Sequence, residues 1–436
     1  MHTENNSVST SNYRWFVLIL AGLTATLAIA MPAMAMPVLF SEMSQDLGLS
    51  LVQIGAIWGT GSLAGLLTGL AGGSIGDRFG SRRTLAIGCL AVGVTGASRG
   101  FSTDFATLAG TVLLGGLATT IVPLNLHKAC GAWFPRRHLG LANSAVSAGM
   151  AMGFMTGSMI SATVLSPWLG GWRHVLFFYG GVALVMSIPW ALIRAAPGES
   201  ASSSVDSAPS PSDGAPSPSE GAPSPSEGGA IPMRQALSHV VRLRSVWLLG
   251  VVMLGVGGCI QGMLGYLPLY LREIGWPPAH ADAALASFHA ISLTAVFPLA
   301  LLSDRLGSRK KFLVVAVLMF ATGVGLLAVA DGAIVWVAVL MAGVVRDGFM
   351  AIFMTMVTEL DGVGTRYAGT AMGLTSTLSQ VGNLIAPPLG NSLASHDLRL
   401  PFGFWATMAL MGFAVFHLVK EKKAQEAPLD HVSLAN

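Results

Sequence analysis

The chain has 436 residues, of which 53% are hydrophobic and only 10% are Asp, Glu, Lys or Arg. Soluble proteins average about 25% charged residues, so this composition cannot cover a water-facing surface and the bilayer must be its solvent. The net charge of +3 is small and its cations are spread through loops, which argues against a nucleic-acid partner.

Apolar runs recur along the chain, and about 20 residues are needed to span a bilayer. In chain order the predicted spans are 14–40, 51–73, 84–103, 105–129, 139–165 and 174–194. A second set follows at 246–270, 284–303, 311–330, 333–358, 367–394 and 402–420. Leu18 to Ala30, followed by Ala33-Met34-Ala35, has the outline of a signal peptide. Cleavage there would leave the first set one helix short of the second, so the segment is read as span one. Pro32, Pro37, Pro123, Pro268, Pro298, Pro387 and Pro388 fall inside spans, where neighbouring helices can re-satisfy freed backbone groups. Cys89, Cys130 and Cys259 also fall inside spans. They read as small apolar packers and not as disulfides or metal ligands.

Between the two sets the pattern changes. Ala208-Pro-Ser-Pro-Ser-Asp-Gly214 is followed by two near copies, Ala215–Gly221 and Ala222–Gly228. Pro, Ser and Gly in this density cannot build a core, so a disordered tether is expected. The expected organisation is a six-helix bundle over 1–196, a linker over 197–245, a second six-helix bundle over 246–420 and a tail over 421–436. Of the 24 Lys and Arg, all but Arg99, Arg173, Arg272, Arg346 and Arg399 fall on the side of the termini. The positive-inside rule therefore places both termini in the cytoplasm. Short loops suggest a bacterial inner membrane.

The two sets are copies. Gly73-Ser-Ile-Gly-Asp-Arg-Phe-Gly-Ser-Arg-Arg83 joins spans two and three, and Ala300-Leu-Leu-Ser-Asp-Arg-Leu-Gly-Ser-Arg-Lys310 joins spans eight and nine. Arg137-His-Leu-Gly-Leu-Ala142 opens span five, and Arg366-Tyr-Ala-Gly-Thr-Ala371 opens span eleven at nearly the same offset. Duplicated halves in a membrane point to transport.

Gly73-x-x-x-Asp77-Arg78-x-Gly80-x-Arg82-Arg83, its degenerate copy and Gly171-Trp-Arg173 before span six together resemble the signature of the major facilitator superfamily. The resemblance implies an all-α membrane protein of twelve transmembrane helices in two pseudo-symmetric six-helix bundles. The bundles would rock about a central site lined by spans 1, 4, 7 and 10. It further implies a gating role for Asp77, Arg78 and Arg82, and by repetition for Asp304, Arg305 and Arg309. Two family features are missing. Thr111 to Gly116 in span four holds no arginine, and Gly153-Phe154 stands where drug–proton antiporters carry Gly-Pro. The second departure counts against drug export.

Arg346 is the sharpest candidate. It falls near the middle of span ten, where a charge costs about 2.5–3.5 kcal/mol on insertion scales and usually marks a pathway. Guanidinium grips a carboxylate bidentately, so Arg346 is expected to anchor an anionic substrate, monocarboxylate-like in class. Asp347 follows it. Successive helix positions point about 100° apart, which disfavours a direct Arg346–Asp347 pair. Asp347 and His289 are candidate proton carriers, although a packing role is the plainer reading of His289. Asn125 in span four, Gln261 and Tyr266 in span seven and Asn383 in span eleven offer hydrogen bonds for a substrate. Gly61, Gly65, Gly69 and Gly73 in span two, and Gly149, Gly153 and Gly157 in span five, repeat every four residues. This spacing allows close helix contact, either static or sliding.

The expected function is secondary active transport of a small organic anion, with a proton as the expected co-substrate (symport). Efflux of amphipathic drug-like compounds is the alternative within transport. A membrane receptor or enzyme is the alternative outside it, and no nucleophile constellation supports one. Lipid, substrate and protons are the partners expected, with the chain acting as a monomer. No cofactor or metal is expected.

Overall fold

The computed structural model describes residues 4–68, 80–194, 233–306 and 309–419. The described residues contain helices and no strands. In the first half these are α1 (Tyr13–Leu47), α2 (Leu51–Thr68), α3 (Ser81–Phe101), α4 (Phe105–Trp133), α5 (Arg137–Leu169) and α6 (Trp172–Leu192). In the second half they are α7 (Arg244–Glu273), α8 (Pro278–Leu306), α9 (Arg309–Leu326), α10 (Ala333–Glu359), α11 (Gly364–Leu393) and α12 (Leu400–Phe416). Eight of them are long and apolar enough to cross a membrane by length and composition. The twelve fall on the twelve predicted spans and form two like halves of six.

Local sequence explains how several helices begin and end. Gly48 ends α1 with φ 62°, a conformation that other L-residues seldom adopt. Asp104 caps α4, its carboxylate accepting from the Thr107 N–H at 2.9 Å. Both π-helical stretches, Thr24–Ala30 in α1 and Ser161–Leu165 in α5, end just before a proline, Pro32 and Pro167 respectively. Proline lacks an N–H and crowds the carbonyl four residues back, and a wider ladder upstream relieves that conflict.

Two helices are broken at matching places. α4 is interrupted at Thr120, and α10 at Val345. The duplication therefore extends to backbone irregularity.

Lipid tails are as apolar as leucine, so close packing holds these helices together. Gly149, Gly153 and Gly157 of α5 lie against the backbone of α1 at Gly22, Thr26 and Met31. This stripe packs within the first half and not against the second. One apolar core fills the first half around Trp190, Leu85 and Leu126. A larger one runs through the second half and continues into Met36, Leu39, Phe40 and Ile54 of the first. Ile19, Ile87 and Leu192 are exposed, as expected of a lipid-facing belt.

Part of the expected linker is ordered. Met233–Val240 is a short helix, with Ala236 and Val240 buried one turn apart. His239 stacks on Tyr367 with ring centres 4.3 Å apart, and its Nε2 lies 2.8 Å from the Gly362 carbonyl. An apolar i, i+4 pair and a ring stack give this stretch a docking face that the Pro-Ser repeat lacks.

Candidate functional site at the seam between the halves

The halves meet chiefly along two helix pairs, α2 with α11 and α5 with α8, and α1 also touches α7. On α2, Gly55 sits so close to α11 that a Cβ there would stand 2.7 Å from the Pro387 carbonyl. Gly59 faces Leu384 and Gly65 faces Gln380 in the same way. Gly61 faces open space instead, and a Cβ on Gly116 of α4 would stand 3.1 Å from the Gly61 carbonyl. Gly69 and Gly73 lie outside the described residues.

Among the described residues, three side chains bond across the seam, each to a backbone carbonyl of the other half. Arg272 Nη1 donates to Val38 at 2.7 Å, Asn391 Nδ2 to Leu51 at 2.8 Å and Trp58 Nε1 to Gln261 at 2.7 Å. The first two lie at helix ends on the face opposite the termini. Arg272 is held by Asp282, which is fully buried, at 2.5 Å. Asp282 was not among the expected site residues. Its position two residues before the predicted span gave it the look of a loop carboxylate.

Farther along the seam, α5, α8 and α10 converge on Arg346. Its guanidinium lies 5.6 Å from the ring centre of Phe154 of the opposite half. His289 packs on the same Phe154 ring at 5.4 Å. The His289 ring is buried, and neither of its nitrogens has a hydrogen-bond partner among the described residues. Ser292 Oγ accepts from the Asp347 N–H at 3.2 Å.

Arg346 Nη1 donates to Asp347 Oδ1 at 2.8 Å. This corrects the expectation that neighbours on a helix would not pair. Arginine has a long, flexible stem, and the break at Val345 places both residues in a first turn. The pairing uses one of five guanidinium N–H groups. Four remain, enough for a carboxylate to bind bidentately beside Asp347.

The other expected ligands do not all gather here. Gln261 lies at the seam under Trp58. Asn383 is on α11, beside Gln380 at 3.0 Å, and with its amide turned it would donate to the Gly257 carbonyl at 2.9 Å. Tyr266 is buried among Tyr270, Phe402 and Trp405, and its hydroxyl donates to the Leu398 carbonyl at 3.2 Å. Asn125 is buried, donating to Ile121 of its own helix at 2.7 Å. Tyr266 therefore has structural contacts that account for it, whereas the buried Asn125 Oδ1 has no hydrogen-bond partner among the described residues.

Of the expected gating residues, Asp77 and Arg78 lie outside the described residues, as does the side chain of Asp304. Arg305 is exposed. Arg82 donates to the Ala191 carbonyl, and Arg309 pairs with Glu359 at 2.8 Å. Both bonds stay within one half.

Long apolar helices paired across a seam, with an arginine–carboxylate pair and a histidine inside it, define a multi-pass membrane protein. A profile of the Major Facilitator Superfamily matches residues 14–387. The chain belongs to that superfamily.

Among relatives, a gallate transporter of Pseudomonas putida is 23% identical, the match covering 93% of this chain and 90% of that one. The probable galactarate/D-glucarate transporter GudP of Escherichia coli strain K12 is 28% identical over 36% of each chain. The chain thus matches about a third of the length of GudP. The 4-hydroxybenzoate transporter PcaK of Acinetobacter baylyi is 27% identical over 41% of this chain and 38% of its own. In fold, the chain resembles an inward-facing bacterial homologue of the human lysosomal transporter Spinster, with a TM-score of 0.74 at 15% identity. That match covers 93% of this chain and 97% of the other. The nucleoside transporter NupG matches with the same TM-score at 11% identity, over 93% of this chain and all of the other.

Proposed function

We propose that this protein is a secondary transporter of small organic anions that works by alternating access, with Arg346 as the carboxylate anchor. The observation that carries this reading is a guanidinium at the seam with N–H groups to spare. The gallate, 4-hydroxybenzoate and glucarate specificities in its relatives' names support an organic acid as cargo. Asp347 and His289 are the groups that would carry a coupled proton. The termini lie in the cytoplasm on this reading. Arg82 and Arg309, now bonded within their halves, would change partners when the terminal face closes.

The test is uptake into proteoliposomes of gallate, 4-hydroxybenzoate, cis,cis-muconate and D-glucarate. Charge-assisted hydrogen bonds contribute about 1.5–3 kcal/mol, so Arg346→Lys is expected to raise KM about 10-fold or more with protein abundance unchanged. Unaltered kinetics would remove Arg346 from the site. Uptake that survives a protonophore would remove the proton.

The second reading is drug efflux. The tetracenomycin C resistance and export protein of Streptomyces glaucescens is 27% identical over 43% of this chain and 35% of its own. Phe154 standing where a Gly-Pro pair would be argues against it. Export of a lipophilic cation from inside-out vesicles, with no organic-acid uptake, would favour it.

A further inference from the structure

We propose that the first half contains a second anion site, built on Arg99 and separate from Arg346, for a carboxylate carried on a body about the size of one aromatic ring. The sequence places Arg99 among outer loop charges. In the structure it opens the last turn of α3, Arg99–Phe101, and lines a cavity of about 170 Å³. The walls come from α1, α2, α3, α4 and α6, with Gln261 of α7 at the seam. Arg346, His289 and Phe154 are not among them.

The chemistry of the wall is one-sided. No Asp or Glu lines this cavity. Arg99 has no ion pair among the described residues, and its buried Nε makes no hydrogen bond. A partly buried cation whose Nε is shielded and unpartnered is costly, and such a group persists where a ligand supplies the counter-charge. Its position is also prepared. Gly115 of α4 lies against Nη2, where a Cβ would collide with the guanidinium. Space for Arg99 is thus made by the absence of a side chain opposite.

The rest of the wall fits the body of the ligand. Trp58 and Tyr179 contribute ring surfaces, and Thr95, Thr119 and Ser62 contribute hydroxyls. An apolar protein cavity of about 150 Å³ holds benzene, so about 170 Å³ suits one ring with a carboxylate directed at Arg99. A backbone carbonyl of the second half closes one end, since the Trp58 indole bonds to Gln261. Binding here would therefore be sensed at the seam.

Benzoate is the probe, titrated calorimetrically into the purified full-length protein in detergent. Benzamide and sulfate are the comparators. The background is Arg346→Gln, so that binding at the proposed transport site does not contribute. Benzoate is expected to bind this variant, and benzamide to bind at least 10-fold more weakly. Adding Arg99→Gln should weaken benzoate at least 10-fold. Adding Gly115→Ala should do the same, because it keeps the charge and displaces it, and it serves as the check should Arg99→Gln fail to fold. No benzoate binding in the Arg346→Gln background, or equal binding after both additions, overturns the site. Displacement of benzoate by sulfate at equal concentration overturns the assignment to ring-sized carboxylates. None of these outcomes depends on whether Arg346→Lys alters uptake.

Discussion

Arg346 and Asp347 meet at 2.8 Å and both remain partly exposed to the seam, with side chains 24% and 30% accessible. A half-exposed pair of this kind contributes about 0.2–1 kcal/mol, which a substrate carboxylate can offset. On the proposed reading, Asp347 then competes with substrate for the same cation. Asp347→Asn is expected to lower KM for an organic acid, by up to about fivefold on that energy, and to abolish stimulation of uptake by an inward proton gradient. Both changes are read in one proteoliposome assay. A variant with normal gradient stimulation removes Asp347 from coupling. Arg346 was legible in the sequence because a charge inside an apolar run is costly to insert and stands out against its neighbours. Arg99 was not. Hydropathy shows that a cation sits at a span end but not whether its guanidinium turns inward, and Gly115, which makes that turn possible, lies on another helix.

Helix positions were legible from apolar run length, and every predicted span has its helix. Where a helix breaks was half legible: Pro123 crowds the Thr119 carbonyl just before the break at Thr120, but no proline follows Val345 within four residues. Which surface a glycine stripe addresses was also hidden. Gly65 of the α2 stripe reaches the other half, whereas Gly61 and the α5 glycines do not, yet the spacing is the same. Gly59 gives the sharper test. A valine there would drive its side chain into the Leu384 backbone and spread α2 from α11. The described cysteines are all buried, so labelling background is low. Ile57→Cys, now fully buried, is expected to react faster with a membrane-impermeant maleimide when Gly59→Val is added. An unchanged rate would mean that the two helices do not part there. At the other end of the first half, Asp104 holds the start of α4. The Thr107 N–H, foremost, holds the Asp104 carboxyl below the usual carboxylate range. A depressed pKa stabilises above the unfolded value, and the contribution fades as pH falls through the folded one. Asp104→Asn, which keeps the cap and drops the charge, should flatten the acid limb of a thermal stability profile. An acid limb identical to that of the parent would exclude Asp104 as its source.

At the scale of the molecule, the Arg272–Asp282 pair matters most. Arg272 is only 12% accessible and Asp282 not at all. Removing one partner of a buried pair typically costs about 3–5 kcal/mol, because the other charge is left stranded. Arg272→Gln should therefore lower the melting temperature sharply, and adding Asp282→Asn should recover much of the loss. Equal melting for the single and double variants would show that the pair is not the source. The pairing was illegible because its members sit on successive helices either side of a turn, with the third contact, Val38, far away in the chain.

The three bonds that cross the seam all end on main-chain oxygen. A carbonyl cannot be substituted away, so either half can change its side chains at Val38, Leu51 or Gln261 without losing the acceptor. Each bond has a net worth of about 0.5–1.5 kcal/mol, because water takes the donor's place when the halves part. Three together come to a few kcal/mol, in addition to the apolar packing that continues across the seam. The polar fastening of the seam is thus indifferent to sequence drift on its accepting side.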